Sequence, residues 1–189
     1  MYFTMRKLLL VAVTLLFGTT LAHAQEGQIT RWTFSLGGFG NFTRFGTKLE
    51  QFPEIGFFPS PIFSRTVYIG RCGGTPEPNC SGRIFFEATE SIHPDPASPG
   101  QIEINGTPSR LGDSDSSVFG NYVCQTTNPL GVRTWDLECQ VTITGGRGAY
   151  VNSTGTGFMQ RTLQLFPVNS LGVVEVSNWQ GSVSFSPNP

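Results

Sequence analysis

The segment TWDLECQVTI (134–143) alternates between apolar and polar residues along its full length, as an extended strand with one buried face requires. Its apolar face carries Trp135, Leu137, Cys139, Val141 and Ile143. RWTFSL and GSVSFS repeat the pattern, and six further short segments between turn-forming residues bring the candidate strands to about nine. Many short one-sided strands predict an all-β protein, either a closed antiparallel β-barrel or a β-sandwich.

The composition favours the same fold class. The chain has 23 glycines, 13 prolines and 16 phenylalanines but only two lysines, so turn formers and aromatic residues outnumber good helix formers. Residues 40–63 are aromatic, proline-rich and irregular; we expect a bulged strand and then a lid-like crossing segment. Residues 93–100 contain three prolines and predict a surface loop. We expect one barrel domain over residues 25–189.

The first 24 residues have the organisation of a secretory signal peptide. Arg6 and Lys7 precede the apolar run LLLVAVTLLFG, and Ala22 and Ala24 form a small-x-small cleavage site. A retained membrane anchor is the weaker alternative, because a helix of this run is too short for a bilayer core of about 30 Å. We expect the mature chain to begin near Gln25, to be secreted or periplasmic, and to lack membrane contact after cleavage.

The charge of the mature chain excludes one class of partner. Removing Arg6 and Lys7 leaves ten basic residues against thirteen acidic ones, a net charge of −3. No run of basic residues is present, so the sequence predicts no nucleic-acid binding.

Four cysteines in an exported chain favour disulfides over a metal site. Three pairings are possible, and we favour the two local ones, Cys72 with Cys80 and Cys124 with Cys139. The first would close a Pro/Gly-rich loop, and the second would join two strands on either side of a turn. Zinc is disfavoured because CxxC spacing is absent and the mature part has one histidine. We therefore expect no metal and no cofactor.

The stretch GGRGAYVNSTGTG (145–157) invites three functional interpretations, and its spacing fails each of them. Val151 stands where the third glycine of a dinucleotide fingerprint belongs, no Gly-Lys-Ser/Thr follows for a P-loop, and Ser153 lacks the flanking glycines of a nucleophile elbow. A tight turn between two strands remains. Its glycines are Gly145, Gly146, Gly148, Gly155 and Gly157.

ITGGRGAYVNSTGTG also resembles the TGGTGRYAGATGSG signature of the family that contains allene oxide cyclase and the plant dirigent proteins. It departs from that signature at Arg147, where a small residue is usual, and at Ala149, where a basic one is usual. The final WQGSVSFSP is similar to the closing GTISY strand of the family, so the resemblance covers about 45 residues. A lipocalin-like barrel is the main alternative, but Thr30 and Arg31 precede Trp32 without the usual Gly-x-Trp order.

The resemblance implies an antiparallel, calycin-type barrel of eight strands, often a homotrimer, with an internal pocket for a small apolar molecule. Members of the family include a cyclase that shapes a fatty-acid-derived epoxide and proteins that steer the coupling of phenoxy radicals. The catalytic residues of the plant enzymes lie outside the matching motif, so the resemblance assigns no catalytic residue to this chain.

The alternation of inward and outward side chains along a strand, which we call strand parity, identifies the candidate site residues. Arg161 falls on the apolar face of its strand, and Glu90 continues the face of Ile84 and Phe86. A buried charge is unfavourable unless it is paired, so these two could meet inside the barrel and hold a polar group of a ligand. A place at the rim of the barrel, or a bulge that shifts the parity, is the alternative.

Three aromatic residues, Tyr122, Trp135 and Tyr150, are further candidates for lining a pocket, with core packing as the more common role. GDSDSS (112–117) begins like a calcium loop but lacks its later ligands, and we expect a turn there.

Three functions are compatible with these observations. The first is binding of a small apolar molecule inside an exported, disulfide-stabilised barrel. The second is an isomerase or cyclase that works by shaping its substrate. The third is a structural or surface-interaction protein that presents segments such as 37–63 and 93–100. The sequence favours binding over catalysis.

Overall fold

The computed structural model describes residues 29–52, 56–75, 82–95, 97–98, 101–131, 133–168 and 172–187. Eight β-strands account for almost all of them. They are β1 (Thr30–Phe52), β2 (Gly56–Thr75), β3 (Gly82–Pro94), β4 (Ile102–Gly112), β5 (Ser117–Gly131), β6 (Thr134–Arg147), β7 (Ser153–Val168) and β8 (Gly172–Pro187). A single 3₁₀ turn, Gly148–Tyr150, lies between β6 and β7. The predicted signal peptide, residues 1–24, falls outside the described residues.

The eight strands form a closed antiparallel barrel in which each strand pairs with its neighbours in sequence order. β1 closes the barrel by pairing with β8, with Trp32 opposite Val183 and Leu36 opposite Trp179. The predicted closed barrel is therefore confirmed, and the sandwich alternative is wrong. Closure removes the exposed strand edges that a sandwich would have to protect.

The count of about nine candidate strands is wrong by one, because GVVEVS and GSVSFS belong to the single strand β8. Gly181 does not mark a turn between them. A Cβ atom added at Gly181 would lie 2.6 Å from the backbone oxygen of Phe158, so a close approach of β7 and β8 requires glycine here.

The first half of the chain contains the largest departure from a regular barrel. β1 pairs with β8 only as far as Asn41, and its register with β2 shifts twice beyond that point. The predicted bulged strand is thus confirmed. The described residues after it, from Gly56 onward, form β2 and not a lid-like crossing segment or a loop. Past the described pairings with β8 and β3, the two strands continue as a two-stranded ribbon in which 48–52 pair with 56–60, and its residue Phe52 is buried.

Side chains of alternating parity fill the interior of the barrel with one hydrophobic cluster. The predicted disulfide between Cys124 and Cys139 is confirmed and joins directly opposite positions of β5 and β6. The predicted partner of Cys72, Cys80, lies outside the described residues, so that pairing stays a prediction. In the part of the chain that the structure describes, no helix is long and apolar enough to cross a membrane.

Candidate functional site

The glycine stretch closes one end of the barrel. Its 3₁₀ turn places the Tyr150 ring against Trp32 and Phe185, with both pairs of ring centroids 5.1 Å apart. Gly148 has a φ of +64°, and a Cβ atom there would lie 2.3 Å from the backbone oxygen of Asp115. Glycine is therefore required at position 148 for the backbone conformation that directs the Tyr150 side chain into the barrel. The predicted turn at 112–117 lies beside it, where the Asp113 carboxylate accepts hydrogen bonds from two backbone N–H groups.

Glu90 and Arg161 form an ion pair in the barrel interior. Arg161 Nη1 lies 3.1 Å from Glu90 Oε1, and Nη2 lies 3.1 Å from Oε2, which is the bidentate geometry of a strong guanidinium–carboxylate pair. Both side chains are fully buried. Strand parity predicted that these two residues share the interior, and the structure brings them together.

Four further side chains hydrogen-bond to this pair, so that the polar atoms of both charged groups are engaged. Tyr122 donates its hydroxyl to Glu90 Oε1, and Ser64 Oγ lies 3.5 Å from Oε2. Arg161 donates from Nε to Ser177 Oγ at 3.1 Å and from Nη2 to the Tyr68 hydroxyl at 3.2 Å. We call these six residues the central polar cluster.

The strand register explains why the cluster forms. One row across the sheet contains Ser64, Glu90, Gly106 and Tyr122 on four consecutive strands. A Cβ atom at Gly106 would lie 1.9 Å from the Tyr122 ring, so the absence of a side chain lets this ring cross β4 toward Glu90.

An aromatic layer lies directly against the cluster. Trp179 is opposite Arg161 in the register, and the guanidinium carbon lies 4.4 Å from the centre of its ring, a cation–π contact. The Trp179 ring also contacts Tyr68, Phe86 and Tyr122, with centroid separations of 5.4–5.6 Å.

The other predicted candidates occupy different levels of the barrel. Trp135 is buried on β6, opposite Leu163, and Tyr150 closes the end described above. Sequence reasoning missed Tyr68, Ser64, Ser177 and Trp179 as partners of the ion pair. Closure of the barrel decides which inward residues meet, since it brings Tyr68 and Arg161 together although they are 93 residues apart in the chain.

The environment of Tyr122 gives a prediction about pH. Burial, and then the negative charge of Glu90, raises the pKa of Tyr122 well above its usual value of 10.0. The folded state therefore releases this proton less readily than the unfolded state does. The stability that the protonated Tyr122 hydroxyl contributes is fully present below pH 10, the usual pKa of tyrosine. It is lost as the pH rises toward the higher pKa of the folded state. We expect the free energy of unfolding to fall above about pH 10, and Tyr122→Phe to make that fall shallower in urea titrations. An identical fall in the variant would contradict this assignment.

The described residues contain no group of three or more His, Cys, Asp or Glu side chains that could hold a metal ion. Comparison with known proteins identifies no relative: no family model, no curated protein and no solved structure matches the chain.

Proposed function

We propose that this chain is an exported, disulfide-stabilised β-barrel that acts as a binding protein through its outer surface. The observation that carries the proposal is the occupied interior. The central polar cluster and the aromatic layer around Trp179 fill the middle of the barrel, and Tyr150 fills one end. The charged groups of the cluster already have partners within the protein, so the barrel serves as a rigid scaffold.

Export is supported by the cysteine chemistry. A disulfide between neighbouring strands persists in an oxidising compartment and is rare in the cytosol. In this proposal, the signal peptide over residues 1–24 directs the chain into the secretory pathway.

A native mass spectrum of the protein purified from the extracytoplasmic fraction tests the proposal. We expect a chain that begins near Gln25 and peaks that contain polypeptide only. A reproducible extra mass of a few hundred daltons, released by mild dissociation, would overturn the occupied-interior argument. A chain that keeps residues 1–24 would overturn export.

The outer surface carries an apolar row that supports self-association. Val176, Phe39 and Val67 are directly opposite one another on β8, β1 and β2, and Ile69 lies two residues further along β2 on the same face. All four are exposed, Phe39 to 55%. Exposed apolar patches of this kind mark interaction surfaces. We propose a second copy of this chain as the occupant, with a homotrimer as the assembly that the family resemblance implies.

Replacing Phe39 and Val176 together with serine should convert the assembly to monomers, because the apolar area buried between copies is lost. Light scattering after size-exclusion chromatography measures the mass. Phe158→Ser is the matched control, since Phe158 is also an exposed phenylalanine but lies outside the row. A wild-type monomer at all concentrations, or equal dissociation by Phe158→Ser, would contradict the proposal.

A second candidate function, binding of a small and mainly apolar molecule inside the barrel, is favoured by one observation. The buried indole N–H groups of Trp32 and Trp179 have no hydrogen-bond partner among the described residues. Buried donors usually have partners, and a ligand or a water could supply them. An isomerase or cyclase would be a special case of this function. Unchanged turnover of a genuine substrate by Glu90→Ala and Arg161→Ala variants would exclude both residues from such catalysis.

A further inference from the structure

A polar groove of about 320 Å³ runs over the outer face of β6, β7 and β8. It ends beside the apolar row, because Asn178 in the groove lies two residues from Val176 on β8. Two cross-strand rows line it: Asp136, Thr162 and Asn178 in one, and Glu138, Gln160 and Gln180 in the other. Adjacent strands are about 4.8 Å apart and successive outward residues about 7 Å apart, so six polar side chains are presented within a small area.

A β-bulge supplies the wall at one end of the groove. The register of β5 and β6 shifts between Thr126 and Asn128, which leaves Thr127 as the extra residue. The Thr127 hydroxyl donates to the backbone oxygen of Asp136 at 3.2 Å, and Thr162 Oγ1 donates to Asp136 Oδ1 at 2.8 Å. The first contact fixes the Asp136 backbone, and the second holds its carboxylate through Oδ1 and leaves Oδ2 as an acceptor.

The remaining groups have unused hydrogen-bonding capacity. Glu138, Gln160 and Gln180 are exposed, and their side chains make no hydrogen bond with the described part of the chain. Each carboxamide offers donors and an acceptor side by side, and the carboxylate offers two acceptors. Adjacent hydroxyl groups of a polyol, each both donor and acceptor, match this arrangement.

The charge of the groove narrows the class of ligand. Two carboxylates line it, and its one arginine, Arg161, directs its guanidinium into the barrel toward Glu90. Phosphates and carboxylates would therefore be repelled. The next row of the same face contributes Phe158, an exposed ring that could pack against the C–H face of a sugar.

We propose that the β6–β8 groove binds a neutral polyhydroxylated ligand, an oligosaccharide, through Asp136, Glu138, Gln160 and Gln180. This inference rests on the proposed function, since it assigns a ligand class to the outer surface of the barrel. The two can fail separately. An extra mass in the native mass spectrum counts against the occupied interior only if the Gln160→Ala/Gln180→Ala variant also retains it, whereas sugar binding is measured at the groove itself.

Nuclear magnetic resonance titration of the mature protein tests this site. The probes are maltose, cellobiose and N,N′-diacetylchitobiose, each titrated to millimolar concentration. We expect at least one of them to shift the side-chain amide signals of Gln160 and Gln180 saturably. The double variant Gln160→Ala/Gln180→Ala lacks these two signals, so its binding is followed by the backbone amide signals of β6–β8. We expect it to bind about tenfold more weakly, as expected for the loss of two hydrogen-bonding partners.

The matched control is Gln51→Ala, which removes an exposed glutamine from β1, far from the groove, and should leave the affinity unchanged. Failure of all three sugars to shift the two amide signals would overturn the inference. Saturable binding of spermidine or Ca²⁺ in place of the sugars would also overturn it, since that result would show a cation site built on the two carboxylates.

Discussion

Arg161→Ala should lower the free energy of unfolding by about 3–5 kcal/mol, because it leaves the Glu90 carboxylate buried without a counter-charge. The loss is expected to be large since Glu90 lies in the barrel interior, where water cannot replace the guanidinium. The variant also removes the cation–π contact with Trp179. Urea unfolding followed by tryptophan fluorescence measures the change, and Trp179 reports on the site directly.

A double variant separates the effect of a buried charge that has lost its partner from the effect of lost packing. Glu90→Leu combined with Arg161→Met removes both charges and keeps most of the volume. We expect it to be more stable than Arg161→Ala, because a buried ion pair contributes little net stability relative to apolar residues of similar size. If the double variant is as unstable as the single one, or if Arg161→Ala changes stability by less than about 1 kcal/mol, the pair is not buried as described.

Replacing Cys124 and Cys139 together with alanine should cost about 3 kcal/mol of stability. The disulfide closes a loop with a sequence separation of 15, and removing it restores that freedom to the unfolded chain. Both cysteines are fully buried, so the lost sulfur atoms add a packing defect in the folded state. Urea unfolding of the variant, compared with the oxidised wild type, measures the sum.

Reduction in a Cys72→Ser/Cys80→Ser background distinguishes the two contributions, because it then breaks only the Cys124–Cys139 cross-link and keeps its sulfur atoms. We expect the reduced protein to fall between its oxidised form and the same background with both Cys124 and Cys139 replaced by alanine. If the double variant matches the oxidised wild type, the cross-link contributes nothing to stability.

Local pattern was enough to predict the fold class. The alternation of TWDLECQVTI is reproduced in β6, where Trp135, Leu137 and Cys139 are buried and Glu138 is exposed. The short spacing around a turn also predicted the disulfide that joins β5 and β6. Both features depend on residues close together in the chain. The alternating burial of β6 follows directly from the two-residue period of a strand.

Features that depend on register could not be predicted in the same way. The sequence divided β8 into GVVEVS and GSVSFS, and only the contact of Gly181 with β7 shows why glycine is required inside a single strand. Parity placed Glu90 and Arg161 in the interior, whereas the contributions of Gly106 and Trp179 follow from the register of β3 with β4 and of β7 with β8. The outer groove was missed because its polar residues were assigned only to the solvent face.

The pairing of β1 with β8 has a consequence for how the molecule is made. The first and last strands of the barrel are neighbours, so the wall cannot be completed until the final segment of the chain is available. A pairing between strands so far apart in the chain forms slowly, and the edges of β1 and β8 stay unpaired until it forms. For the exported chain that we propose, this delay keeps the polypeptide competent for translocation until β8 has emerged.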